Sequence, residues 1–257
     1  MHFTEAEILS WVGRFLWPLL RFSALLVFMP VFSSQGVPTR VRLIAALALT
    51  ALAMPSLPPL PDIPLLSAPG LFAAAQQVFI GLLMAFILQL AYATVIYGGQ
   101  NIAYAMGLGF ASLLDPETGV QVPVVAQLYL FLTTFTFLGM DGHLLVLRML
   151  IESFHWLPVA ASGIEPDSLW TVLSWSGLVY SGGLLLSLPI LIALLLVTLG
   201  FGVATRAAPQ LNIFSVGFPV TLMLGLVLMW LTVPDLTRQI GGVLEQAYLF
   251  IERWLRG

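Results

Sequence analysis

The sequence has no cysteine and no lysine, and charged residues fill only 8% of its 257 positions. Without thiols there can be no disulfide, no cysteine nucleophile, no iron–sulfur cluster and no cysteine-bound zinc. The nine basic residues are all arginine, and twelve acids outnumber them to give a net charge of -3. That balance excludes a polybasic nucleic-acid surface, so no nucleic acid is expected among the partners. Three scattered histidines (His2, His143 and His155) make no dedicated metal site, and no cofactor is expected. A soluble domain carries charge on roughly a quarter of its residues. Here 60% of residues are hydrophobic and the mean hydropathy is +1.01. So little charge cannot cover a water-facing surface; the outside of the protein therefore faces lipid or apolar subunits. The N-terminus carries Glu5 and Glu7 where a secretory signal has basic residues, with no small-x-small cleavage site behind them. It reads as mature sequence.

What is present is apolar helix. A membrane-spanning helix needs roughly 20 mainly apolar residues, and six stretches qualify as candidates: about 8–31, 41–55, 71–97, 124–140, 178–204 and 215–233. The fold class expected is all-α integral membrane protein, one domain over 1–257. The second and fourth stretches are short, which suits tilted, half-inserted or subunit-buried helices. Pro189 falls inside the fifth and predicts a kink there. Five prolines between Pro55 and Pro64 cannot continue a helix and form a loop. A second break is expected from Gly98 to Pro123. Leu144, Leu147, Leu150, Ile151 and Phe154 follow helical spacing, with Arg148 and Glu152 on the other side. From residue 235 onward, Leu236, Ile240, Val243, Leu244, Ala247, Tyr248, Ile251, Trp254 and Leu255 form one stripe, the pattern of a helix lying against a neighbour or a membrane surface. Arginines divide almost equally between the two sides of a six-span serpentine, so the positive-inside rule gives no firm orientation.

Few residues carry candidate chemistry. Arg14 and Arg21 lie seven apart on the first apolar helix and so share a face. An arginine deep in a span costs at least about 2.5 kcal/mol and needs a partner. One reading is a polar contact with another subunit or the lining of a path. The other is that Arg14 marks the helix end while Arg21 bonds carbonyls freed around Pro18. Gln100 and Asn101 stand among Gly98, Gly99, Gly107 and Gly109, a mixture suited to irregular backbone buried in protein or lining a cavity. It leads to a turn at Asp115-Pro116-Glu117-Thr118-Gly119. Either a mobile, pore-filling loop or an ordinary interhelical loop fits. Asp141 and His143 are two residues apart and diverge on a helix, so a helix-end cap by Asp141 accounts for them better than catalysis. Arg206 closes the fifth apolar stretch, and Pro209 stops it; Gln210 and Asn212 complete a polar turn.

Four segments together resemble the FliR family of flagellar and virulence type III secretion systems. They are Pro30-Val31-Phe32 with Val37-Pro38-Thr39-Arg40-Val41-Arg42, then Gly99-Gln100 to Pro116, Phe137 to His143, and Arg206 to Phe214. Each is short, but their order and spacing extend over essentially the whole chain. The resemblance implies a non-enzymatic subunit of the flagellar protein export gate in the bacterial inner membrane and the flagellar basal body. It would assemble with FliP and FliQ, meet FlhB and FlhA, and pass exported flagellar proteins in transit. The fold implied is a FliP-like part followed by a FliQ-like part. The resemblance also implies a plug over Met106 to Gly119: Met106, Gly107, Gly109, Phe110, Leu113, Leu114, Asp115, Pro116 and Gly119 are its candidate residues. Arg14, Arg21, Gln100, Asp141, Arg206, Gln210 and Asn212 are candidate intramembrane or assembly residues. With no Walker motif in the chain, energy would come from other components and the proton gradient. A virulence-system homologue is the nearest alternative. A small-molecule transporter would need matched acids at broken helices, and a membrane enzyme a clustered acid–base set.

Overall fold

The computed structural model describes residues 5–33, 36–59, 61, 63–64, 67–109, 123–160, 166–207 and 213–256. Among them all regular structure is helical: α1 (Glu5–Phe28), α2 (Thr39–Ala53), α3 (Ala68–Ala105), α4 (Val124–Gly139), α5 (Gly142–Trp156), α6 (Pro166–Trp175), α7 (Leu178–Ala207) and α8 (Ile213–Arg256), with one 3-10 turn at Met54–Ser56. Thr39–Ser56, Ala68–Ala105, Asp167–Ala207 and Val216–Arg256 are long and apolar enough to cross a membrane, and α4 with α5 would add a fifth, broken span.

Local chemistry sets several helix ends. Pro38 is extended at φ -60°, and its carbonyl accepts from the Val41 and Arg42 amides to start α2. The Arg42 guanidinium reaches back to the Val37 carbonyl at 2.9 Å. The first of the clustered prolines, Pro55, falls in the 3-10 turn that ends this helix. Helix α7 is described to Ala207, two residues before Pro209 in the sequence.

Three expectations change. Helix α3 runs on to Ala105, so Gly98, Gly99 and Gln100 lie within a helix rather than in an irregular break. The glycines there serve close packing: a Cβ on Gly98 would sit 3.1 Å from the Gly183 carbonyl oxygen, and one on Gly99 2.9 Å from the Ala126 Cα. The C-terminal stripe is the continuation of the last apolar stretch in one 44-residue helix through Pro234. All nine of its residues are buried by the chain itself. On α5 the buried face is turned relative to the leucine spacing: Val146, Met149, Leu150, Ser153 and Phe154 are buried, while Leu144 is exposed.

The chain forms two compact units, each assembled from separated stretches of sequence. Unit 1 holds Met1–Leu90, Asp141–Ser176 and Glu245–Gly257; unit 2 holds Ala91–Met140 and Gly177–Leu244. In unit 1, α1 crosses α3 at Gly81, where an added Cβ would strike the Arg21 carbonyl and come within 2.9 Å of the Ala24 Cβ. Below that crossing the Gln89 amide donates to the Phe28 carbonyl at 2.7 Å. Phe22 stacks with Phe154, and Trp175 with Phe250. In unit 2, α3 and α7 meet at Gly183, whose added Cβ would lie 2.7 Å from the Thr94 carbonyl. Tyr92 meets Phe137, and Tyr97 meets Tyr180, edge to face.

Candidate functional site

Arg21 has no exposed surface. Its Nε donates to Gln77 Oε1 at 2.8 Å, one terminal nitrogen to Ser153 Oγ at 2.8 Å, and the other to both Gln77 Oε1 and the Leu157 carbonyl. The guanidinium carbon also stands 4.0 Å from the centre of the Phe154 ring. Helices α1, α3 and α5 are thus tied through one planar fork whose rigid geometry matches three acceptors at once. Its partners among the described residues are Gln77, Ser153 and the Leu157 carbonyl, with none of the carbonyls around Pro18 among them. The ion pairs among the described residues involve other arginines: Arg148 with Glu152, Arg238 with Asp235 and Arg256 with Glu252. Buried cations cost several kcal/mol in low dielectric, and here neutral oxygens and an aromatic face offset that cost. The Gln77 amide nitrogen, also buried, has no partner among the described residues.

The base of the implied plug is equally ordered. Helix α3 ends in a Schellman arrangement: the Gly107 amide donates to the Tyr104 carbonyl and the Leu108 amide to the Ala103 carbonyl, both at 3.0 Å. Gly107 supplies the left-handed φ of +85° that this cap requires. Nor is there room for a side chain, since a Cβ at Gly107 would lie 2.9 Å from the Phe218 ring. Met106 is buried against α8, where Gly225 makes space for it: a Cβ on Gly225 would lie 2.5 Å from the Met106 Cγ. Gly109 lies against Tyr104, 2.7 Å from an added Cβ. The remaining plug candidates, Phe110, Leu113, Leu114, Asp115, Pro116 and Gly119, lie outside the described residues, as do Gln210 and Asn212.

The other candidates separate. Arg14 and Arg206 are exposed, and Gln100 is half-buried near the end of α3. Asp141 holds the N-cap of α5, but through its backbone: at φ +54° its carbonyl accepts from the Leu144 and Leu145 amides, while its side chain makes no capping bond. The expected side-chain cap is replaced by the tolerance of aspartate for left-handed backbone. Sequence reasoning passed over Gln77, Ser153 and Gly225. Only Gln77, an amide within a 38-residue apolar helix, carried a signal, since polar groups inside a span need partners.

Residues 12–247 match the family described as bacterial export proteins, family 1. Proteins called flagellar biosynthetic protein FliR are similar over most of their length. The one from Escherichia coli K12 is 37% identical over 231 residues, covering 90% of this chain and 88% of the relative. That of Pectobacterium carotovorum subsp. carotovorum is 37% identical over 232 residues, with the same coverage. The Bacillus subtilis 168 protein is 26% identical over 227 residues, 87% of each chain. A match that runs from within α1 to within α8 and so covers most of the chain leaves one assignment: this chain belongs to the bacterial export proteins, family 1.

Proposed function

We propose that this multi-pass membrane protein is a core subunit of the flagellar type III export gate and forms, with FliP and FliQ, the inner-membrane portal for unfolded flagellar subunits. The observation that carries the reading is the 37% identity over nine tenths of the chain to flagellar biosynthetic proteins, joined to at least four helices able to span a membrane. FlhB and FlhA are its further partners in this reading. The chain acts as one export-gate domain, FliP-like and then FliQ-like along the sequence. The flagellar relatives favour this system over a virulence counterpart.

Its work is gating without bond chemistry. In this reading Met106 to Gly119 closes the conduit, because apolar groups in a narrow pore exclude water and ions. The Schellman cap at Gly107 and the socket for Met106 give the segment a fixed base, from which its apolar residues move aside for a passing chain. Deleting residues 107–119 tests this. Ion leakage across the inner membrane is expected to rise while the variant still co-purifies with FliP and FliQ. Unchanged permeability in an assembled complex removes the plug; loss of FliP and FliQ from the wild-type preparation removes the gate assignment itself.

A further inference from the structure

We infer that a groove on unit 1, between α5 and the last turns of α8, is a docking site for a basic, apolar-flanked segment of a partner protein. The two helices line it with the same spacing. Residues 145, 148, 149, 152 and 156 of α5 face residues 245, 248, 249, 252 and 256 of α8 around a cavity of about 560 Å³. At one end the Arg256 guanidinium lies over the Trp156 ring, 5.0 Å from its centre. The shared spacing places Leu145 and Glu245 at the other. Met149 and Leu249 give the groove apolar walls, and Leu249 is half exposed.

Charge selects the occupant. Both arginines of the groove are already engaged: Arg148 holds Glu152 at 2.9 Å, and Arg256 pairs with Glu252 while stacking on Trp156. Glu245 is exposed and has no ion pair or hydrogen bond among the described residues. Three carboxylates against two committed guanidiniums leave the groove one charge negative, with the surplus at the Glu245 end. An anionic headgroup or an acidic peptide would meet that surplus unfavourably. A segment bearing lysine or arginine beside leucine-like side chains would satisfy Glu245 and cover the apolar walls together. A second copy of this chain is a poor fit, because its matching groove carries the same excess charge.

Fluorescence anisotropy on the full chain, purified in neutral detergent, tests the proposal with a labelled peptide of leucines and lysines and its glutamate counterpart. The basic peptide is expected to bind and the acidic one to fail. Glu245→Gln should weaken the basic peptide by about threefold, the scale of one exposed ion pair, and Glu245→Lys should reverse the preference. Asp235→Asn removes an equal charge from an exposed site outside the groove and should change nothing. Equal affinity for both peptides, or equal loss in Asp235→Asn and Glu245→Gln, would overturn the assignment.

Discussion

Removing Gln77 should harm this protein more than removing the arginine that Gln77 holds. In Gln77→Leu, Arg21 loses the acceptor of two of its four hydrogen bonds but keeps its charge, at a site with no exposed surface. Hydrogen bonds to charged groups are each worth about 1.5–3 kcal/mol, and stripping a buried charge of its partner costs about 3–5 kcal/mol. Arg21→Met instead removes the cation along with its desolvation penalty. It leaves the Gln77 oxygen and the Leu157 carbonyl without a donor, while Ser153 keeps its bond to the Leu150 carbonyl at 2.6 Å. Neutral groups left unsatisfied cost about 1–3 kcal/mol, so the arginine variant should be the milder one. In the double variant the leucine no longer abuts a buried charge, and its stability should be no worse than that of Arg21→Met. The coupling between the sites should then be at least as large as the loss in Gln77→Leu alone, about 3–5 kcal/mol, at or above the upper end for residues in contact. Denaturation of the four purified proteins in one detergent, read by tryptophan fluorescence, gives the cycle. Additive losses within about 0.5 kcal/mol, or a Gln77→Leu variant more stable than Arg21→Met, would refute this account of the cluster.

Gly81→Val should separate α1 from α3, because the new Cβ would run into the Arg21 backbone; a loss of at least about 1–3 kcal/mol is expected in the same melts. Gly107→Ala should cost about 1 kcal/mol or more for the left-handed backbone alone, plus the clash with Phe218. Gly242→Ala, in open space, should be neutral to stabilising, since alanine is the better helix former. The Asp141 side chain makes no capping bond at φ +54°, so Asp141→Gly should be neutral or slightly stabilising, whereas Asp141→Val should cost about 1–2 kcal/mol. Equal melting of the glycine and valine variants would show that the left-handed backbone at this position is relaxed on substitution.

Periodicity was readable wherever one face of a helix is buried along its length. The nine-residue stripe after position 235 needed only spacing, and the structure buries every member of it. The same method turned α5 by a fraction of a turn, because Ser153 looks like a surface residue until its acceptor role for Arg21 is known. Arg21 itself was conspicuous as a charge in apolar sequence. Its partners were not, since they lie 56 and 132 residues away and no local pattern links them. Gly98 and Gly99 were ambiguous for a related reason: a glycine that breaks a helix and one that lets another helix approach are spelled alike. Gly183, which decides the case for Gly98, is 85 positions further on (183 − 98). The bounds of the last helix were missed because a proline removes one donor without necessarily ending the helix around it, and α8 runs through both Pro219 and Pro234.

Because unit 1 draws on Met1–Leu90, on Asp141–Ser176 and on Glu245–Gly257, its first stretch is made well before its last. Synthesis proceeds from the N-terminus at about 5–20 residues per second, so roughly ten to fifty seconds separate α1 from the turns of α8 that carry the buried Ala247, Ile251, Trp254 and Leu255. A nascent chain halted before residue 245 leaves Trp175 without Phe250 and Trp156 without Arg256. The unit is therefore a composite of three stretches made at different times, and it is whole only when all three are in place.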